Sequence, residues 1–401
     1  MNRVFADIVE SAGYAHVIPP MFEDLGVFLR IGDATDIVTK EMYDFEDKGG
    51  RHVALRPEQT AGVCRAFAQH RPVPPWKVWY SGPNFRYEKP QAGRYRQFDQ
   101  VGVEVLGSDD ALLDAEVIAL GWQFFASLGL TKVELLVNSL GDAGERTAYI
   151  EALRAHLVSR SSELSEEARA TLAKNPLRVL DSKRPQDAPV IESAPMISDH
   201  LGEDAKSHFA AVLRALDVLG VPYTLNERLV RGLDYYRRTT FEFVSHSLDG
   251  AQNAVGGGGR YDGLVADLGG PETPGVGFAM GVDRTLLACD AEGVFGAGAP
   301  PMDAFVVDVT DGFAALQVTA ELRAAGYRVD RSFDGRSMKS QMKAADRSGA
   351  TLAVIIGQDE AESGTCTVRN LSTSEQSTIA RGGLAAHFAA LLGPRNPRRN
   401  P

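Results

Sequence analysis

Apolar and polar residues alternate along KVWYSGPNF (77–85) and YRQFDQVGVEVLG (95–107), and that period of two predicts two β-strands. Between them Pro90 and Gly93 mark a loop. EMYDFE and RHVALR flank the turn signal DKGG at 47–50, which predicts a β-hairpin. In the first twenty residues Val4, Ile8 and Ala12 follow helical spacing instead. DDALLDAEVIALGWQFFASLGL (109–130) reads as an amphipathic helix with acidic residues in its first turn. The pattern changes over about 142–222, where charged helices such as SEEARATLAKN and DHLGEDAKSHFAAVLRALDVLG are separated by PLRVLDSKRPQDAP. This stretch is expected to be a helical insertion between two sheet-forming halves, since strand-like sequence resumes at RTTFEFVSH. AEGVFGAGAPPM (291–302) is the linker candidate. Beyond it DAFVVDVT, an Ala-rich helix, YRVDRS, another helix and TLAVIIG alternate as in a small α/β domain, and GPRNPRRNP reads as a mobile tail.

Composition narrows the class. At 401 residues, with 44% hydrophobic and 24% charged content, two or three packed domains are expected. No apolar run approaches the ~18 residues of a membrane span, and Asp7 and Glu10 interrupt any secretory layout near the start. The three cysteines (Cys64, Cys289, Cys366) form no CxxC pair and suggest no disulfide framework, so a soluble, cytoplasmic protein is expected. The net charge is −11, yet from Met302 onward 12 Lys/Arg balance 11 Asp/Glu, leaving the acidity in the preceding three quarters. A general cationic field is excluded there; an anionic substrate would have to be held by individually placed arginines.

Four clusters carry candidate chemistry. FRYEKPQAGRYRQFDQ (85–100) places Arg86, Lys89, Arg94 and Arg96 around the loop. The arginine fork suits polyphosphate, although surface hairpins also carry arginines for solubility. AVGGGGRYDGLVADLGG (254–270) and TPGVGFAMGVDR (273–284) lack both a P-loop and a GxGxxG helix start. Their glycines fit a close backbone approach or a sheet bend. Gly275, Gly277 and Gly281 would clear one strand face for a flat ligand, with Arg284 directly after. LVRGLDYYRRTTFEF (229–243) sets Arg231, Asp234 and Tyr236 before a strand, as a ligand-orienting group or a local hydrogen-bond motif. In LRPEQTA (55–61), Glu58 and Thr60 read equally as site residues or as a helix N-cap.

Taken together and in order, these clusters resemble one family. FRYEKPQAGRYRQFDQ is similar to motif 2 of class II aminoacyl-tRNA synthetases, GVGFAMGVDR to motif 3, and GYAHVIPPMFE, with Pro20, to motif 1. LVRGLDYYRRTTFEFV and GGGRYDGL resemble the two signatures specific to the histidyl-tRNA synthetase family. SMKSQMKAADRSGATLAVIIGQDE (337–360) resembles the anticodon-binding domain shared by the histidyl, threonyl and prolyl enzymes. The resemblance implies an α+β fold. A mostly antiparallel sheet flanked by helices would form a catalytic domain over 1–297, an α/β anticodon-binding domain would cover 302–392, and a flexible basic tail 393–401.

It also implies formation of histidyl-adenylate from L-histidine and ATP, then transfer to tRNA(His), by a homodimer joined through motif 1. Arg86 would bridge the α-phosphate and the histidine carboxylate, Arg94 would meet the γ-phosphate, and Arg284 would stack on adenine. Arg231 would act as a fixed cation at the α-phosphate, with Mg²⁺ carried mainly by ATP phosphates rather than by protein ligands alone. Glu58, Thr60 and Gln100 would meet the α-ammonium, and Glu104, Tyr236 and Tyr261 the imidazole. Gln91 would touch the tRNA acceptor end. The insertion would lie over the acceptor stem.

The family usually carries a further strand before the first helix, so a mis-set start or a truncation is expected here. Asp283 stands where Glu is usual and Gln59 where a small residue is common. A binding-only relative, the synthetase-like regulatory subunit of ATP phosphoribosyltransferase, is the alternative. It is expected to lack ATP-site arginines and a C-terminal domain, both of which this chain has.

Overall fold

In a computed structural model the chain is described over residues 1–30, 37–230, 235–248, 253–295 and 302–395. It divides into two compact units, 1–295 and 296–401. The first unit is built on an eight-stranded sheet. Its six long strands are β1 (Trp76–Phe85), β2 (Gln97–Leu106), β3 (Val133–Ser139), β4 (Arg237–Ser245), β5 (Ala254–Arg260) and β6 (Gly275–Gly281). They lie in the order β1-β2-β6-β5-β4-β3, every neighbour antiparallel. Two-residue strands, Ala15–His16 and Thr224–Leu225, add in parallel at the two edges.

The alternation along β2 explains which way its side chains point. Val101, Val103 and Val105 are buried in a core with Phe5, Phe124 and Phe278. Gln100, Gly102 and Glu104 must therefore project from the other face, where the site lies. The Val101 face is covered by α1 (Asn2–Ser11), with α2 (Thr60–His70) on the opposite side, and by α3 (Ala111–Ser127) and α4 (Glu203–Leu219). The helix expected at 109–130 is thus α3. Asp110 caps it by accepting from the Leu112 N–H at 2.9 Å. The helix α5 (Val282–Glu292) directly follows β6.

A buried ion pair ties β5 to α3: Arg260 and Asp114 are both sealed from solvent, and His208 on α4 lies 2.9 Å from the same carboxylate. His208 and Arg260 hold Asp114 below the usual carboxylate range despite the opposing effect of burial. Removing one partner would strand a charge in the core, at a cost of about 3–5 kcal/mol.

The helical stretch around 142–222 serves two cores. Tyr149, Leu153 and Leu157 of the helix Ala143–Ser159, with Leu172 and Leu177, pack beside Cys64, Phe67, Val78 and Tyr80. Val212 and Leu216 of α4 join the core of the Val101 face instead. The DKGG turn connects Asp44–Glu46 to His52–Leu55, which pair antiparallel in a small three-stranded sheet.

The second unit has its own five-stranded sheet: β7 (Ala304–Asp308), β8 (Val329–Arg331), β9 (Leu352–Ile356), β10 (Thr365–Asn370) and β11 (Gln376–Ala380). The order is β8-β7-β9-β10-β11, with β8, β7 and β9 parallel and the last two strands antiparallel. Helices α6 (Phe313–Ala324) and α7 (Met338–Arg347) provide the crossovers. The whole is α+β, with a large antiparallel sheet and a separate C-terminal sheet.

Candidate active site

A cavity of about 620 Å³ opens on the face of β2 that carries Gln100 and Glu104. Arg86, Arg94 and Arg284 line it together with Glu58, Thr60, Gln100, Glu104, Tyr236 and Tyr261. Residues far apart in sequence are thus gathered in one hollow. Arg231 and Asp234 lie outside the described residues. Gln91 is described but exposed, bridged through its backbone to Arg94 at the loop tip, and does not line the cavity.

The three arginines are held from behind. Arg86 donates its Nε–H to the Pro57 carbonyl at 2.9 Å and lies 5.1 Å from the Phe98 ring centroid. Arg284 donates to the carbonyls of Gly93 and Ala254, each at 3.0 Å. Arg94 pairs with Glu88. Burial pulls the Arg86 guanidinium below its usual pKa, and burial together with nearby Arg94 does the same for Arg284. Glu88 offsets part of this charge, and Arg86 and Arg284 remain the cationic wall of the cavity, suited to an anion.

At the other end Glu104 is the focus. It is buried, accepting from Thr60 Oγ1 at 2.6 Å, from Tyr80 Oη at 3.1 Å and from Tyr261 Oη. Burial pushes its carboxyl up to about 8, against the pull of those three hydroxyls. Glu58 is likewise raised by burial. Its carboxylate accepts from the backbone N–H groups of Thr60 and Ala61, both at 2.8 Å. Glu58 therefore caps α2, and it also lines the cavity. Gln100 Oε1 accepts from Asn84 at 2.7 Å.

The glycines of β6 need a correction. Their cleared face was expected to take a flat ligand directly, but the protein's own side chains occupy it at two of the three positions. A Cβ on Gly275 would meet the Tyr261 ring at 2.5 Å, and one on Gly277 would lie 1.9 Å from Glu104 Oε2. At Gly281 the nearest atoms, Arg284 Cβ and the Val255 carbonyl oxygen, lie at 3.8 Å, an ordinary contact distance. Of the two departures, Asp283 lines the cavity and Gln59 does not. Asp283 accepts from the Asp99 N–H at 3.0 Å, and buried Gln59 donates to the Gly82 carbonyl at 3.3 Å.

Several cavity residues had no signal in the sequence. Tyr235 packs 4.7 Å from Tyr236, ring to ring. Arg178, Asp181 and Lys183 arrive from PLRVLDSK in the insertion, which carries no motif of its own. Tyr80, which lies behind Glu104 and does not line the cavity, could have been inferred, since the period of two along β1 puts it on the same side as Val78 and the second core.

Comparison with known proteins gives these features a family. The model of Histidyl-tRNA synthetase matches residues 1–285, and that of the Anticodon binding domain matches 303–391. A "Histidine--tRNA ligase" of Nocardia farcinica is 51% identical, covering 95% of this chain and 91% of that protein. One of Geobacillus kaustophilus is 48% identical over 97% and 93%. The crystal structure of apo S. aureus histidyl-tRNA synthetase superposes with a TM-score of 0.78 at 36% identity, covering 96% of this chain and 94% of that one. Matched over nearly its whole length and identical at about half its positions to such relatives, the chain belongs to the histidyl-tRNA synthetase family.

Proposed function

We propose that this protein activates L-histidine with ATP to histidyl-adenylate and transfers the histidyl group to the 3′ end of tRNA(His). The observation that carries the reading is the pairing, in one cavity, of an arginine cluster with a buried carboxylate ringed by hydroxyl donors. The first can hold a triphosphate beside a carboxylate. The second suits a small ring that both donates and accepts hydrogen bonds, as imidazole does.

A histidine carboxylate oxygen attacks the α-phosphorus, a phosphorus–oxygen bond forms, and the bond to the pyrophosphate oxygen breaks. Arg86 spans the two reacting anions, Arg94 takes the γ-phosphate, Arg284 the adenine and Arg231 the α-phosphate. These fixed cations offset the charge that builds on phosphate oxygens. Glu58, Thr60 and Gln100 receive the α-ammonium; Glu104, Tyr236 and Tyr261 read the imidazole. Gln91, on the loop tip, reaches toward the acceptor end.

Synthetases of this class use ATP with a divalent ion. Among the described residues no group of three or more His, Cys, Asp or Glu could cage a metal. Of the carboxylates that line the cavity, Glu242 and Asp283 would be the ones to help hold a Mg²⁺ brought by the triphosphate, and the ion would supply positive charge to the leaving pyrophosphate. A binding-only regulatory role gains nothing from a cavity equipped with Arg86, Arg94 and Arg284, and the curated relatives are ligases.

The protein acts as a homodimer in the cytoplasm. Ile18, Met21 and Phe22 of the motif 1 stretch are 80%, 53% and 58% exposed, an apolar run suited to a second copy, and no described helix is long and apolar enough to cross a membrane. Sedimentation of Ile18→Asp against the native protein tests the dimer. Histidine-dependent ATP–pyrophosphate exchange, with the other amino acids as controls and Arg231→Ala alongside, tests the chemistry. Exchange with another amino acid, or none at all, would refute it.

A further inference from the structure

A second hollow in the first unit, of about 310 Å³, shares only Tyr235 with the main cavity, so that this ring stands between the two. Its cations come from three separate places. Arg30 follows the short helix Leu25–Leu29, Arg146 lies on the helix Ala143–Ser159, and Arg237 begins β4. The first 301 residues carry 30 Lys/Arg against 42 Asp/Glu, so three guanidiniums around one hollow run against the prevailing charge. Among the described residues the single carboxylate on its wall is Asp267. The acidic residues at the start of the Ala143–Ser159 helix are engaged elsewhere. Asp142 pairs with Arg238 at 2.7 Å, and Glu145 accepts from the backbone N–H groups of Asp142 and Gly202 at 2.8 and 2.7 Å.

The backbone of β4 aims one of these arginines. Thr240 pairs with Gly259 and Arg237 with the next residue of β5, Arg260, so two residues of β4 are left over in a bulge. Within it Arg238 has a φ of +46°, a left-handed conformation that a side chain keeps only where its surroundings impose it. A bulge redirects side chains. Here Arg238 turns to Asp142, and the Arg237 guanidinium lies over Gly263, where a Cβ would come within 3.2 Å of its Nη2. Arg146 donates to the Tyr236 carbonyl at 3.3 Å, whereas neither Arg30 nor Arg237 has a carboxylate within 4.0 Å among the described residues. Their mutual repulsion is therefore left for an anion to relieve. Arginine forks grip phosphate oxygens in pairs. Thr147 adds a hydroxyl to the lining, and Ala143 brings the positive end of a helix dipole. Ile150 and Leu264 complete an apolar floor, in a volume at the lower end for small-molecule pockets.

We propose that the hollow between Arg30, Arg146 and Arg237 is a second anion site, built to take the phosphate group of a ligand other than the ATP of the main cavity. None of the three arginines lines that cavity, so the site stands apart from the charging chemistry and does not depend on it.

The test is calorimetric titration of the full chain with inorganic phosphate, native against Arg30→Gln, Arg237→Gln and the main-cavity variant Arg94→Gln. Arg30 is exposed, so its variant keeps the fold even if Arg237→Gln does not, and melting curves check both. Arg30→Gln and Arg237→Gln should each weaken phosphate binding about ten- to hundredfold, the loss of a charged hydrogen bond. Arg94→Gln should leave that binding in place, and pyrophosphate exchange should stay near native in the first two variants. KM for tRNA then sorts the source of the phosphate: unchanged in Arg30→Gln, it is a small molecule's; raised in step with the phosphate loss, it is one of the RNA backbone. Absence of phosphate binding in the native protein, native-like binding in both hollow variants, or an equal loss in Arg94→Gln each overturns the proposal. So does sedimentation showing that Arg30→Gln and Arg237→Gln part a dimer that binds no phosphate, since a carboxylate of the second copy would then fill the hollow.

Discussion

Replacing Tyr80 by Phe removes a single oxygen atom from a residue that does not line the cavity. Tyr80 is fully buried, and its Oη donates to Glu104 Oε1 at 3.1 Å. Its ring lies over Gly102, where a Cβ would come within 2.4 Å of the ring and hydroxyl. Phenylalanine keeps that packing and loses the donor. Above the Glu104 transition, where the acceptor is charged, such a hydrogen bond contributes about 1.5–3 kcal/mol, which corresponds to roughly ten- to hundredfold weaker histidine binding if Glu104 reads the imidazole. Activity at saturating histidine and KM for ATP should hardly change, because Tyr80 acts only through Glu104.

The pH profile gives a sharper signature. Glu104 is pushed up to about 8 by burial, opposed by Thr60, Tyr261 and Tyr80 and reinforced by Glu58. Cys64 and Tyr235 also face this group, both with raised pKa values from burial. Histidine affinity should climb as pH rises through the Glu104 transition, well above the free imidazole at about 6.5. Without Tyr80 one bond that favours the carboxylate is gone, so that midpoint moves upward. The assay is KM for histidine in pyrophosphate exchange from pH 6.5 to 9.5, native against Tyr80→Phe. An unchanged KM and midpoint, or an equal rise in KM for ATP, would refute the reasoning.

Three further outcomes are expected. Gly277→Ala places a methyl 1.9 Å from Glu104 Oε2 and 2.4 Å from the Val103 carbonyl, so histidine-dependent exchange should vanish while ATP still binds, and calorimetric titration with ATP separates the two. Arg86→Lys keeps the charge but not the planar fork anchored on Pro57, and the exchange rate should fall about 10²-fold; a loss under fivefold would mean that a point charge suffices. Folded Glu104 holds its proton up to about 8, whereas an unfolded glutamate releases it near ~4.3. Between those values the folded state binds more protons, so this group's contribution to stability falls as pH rises. The melting temperature of the native protein should therefore drop relative to Glu104→Gln from pH 5 to 8, and parallel curves would exclude the effect.

Much of the architecture was legible because local pattern and tertiary placement agree. The alternation in RQFDQVGVEVL already sorts Gln100 and Glu104 from Val101, Val103 and Val105, and strand β2 preserves that sorting since both of its faces are covered. The DKGG turn and the 109–130 helix, capped at Asp110, follow from chemistry within a few residues. The spacing of Gly275 and Gly277 also revealed a cleared face, but not what clears it.

What fills that space is Tyr261 and Glu104, and nothing in a strand's own period says which distant side chain will cross it. Likewise Arg178 and Lys183 reach the cavity from a segment about eighty residues beyond the hairpin, and α4 leaves the insertion to join the Val101 core. The sequence by itself determined the order of elements, the facing of each strand and the arginine-bearing clusters, because these depend on neighbours three or four residues away at most. Only the tertiary structure decided the hydroxyl ring around Glu104, the support of Tyr80 and the walls of the cavity. Those are contacts between strands and helices whose partners are chosen by packing volume and by the need to satisfy a buried carboxylate, and neither is written into any single stretch of chain.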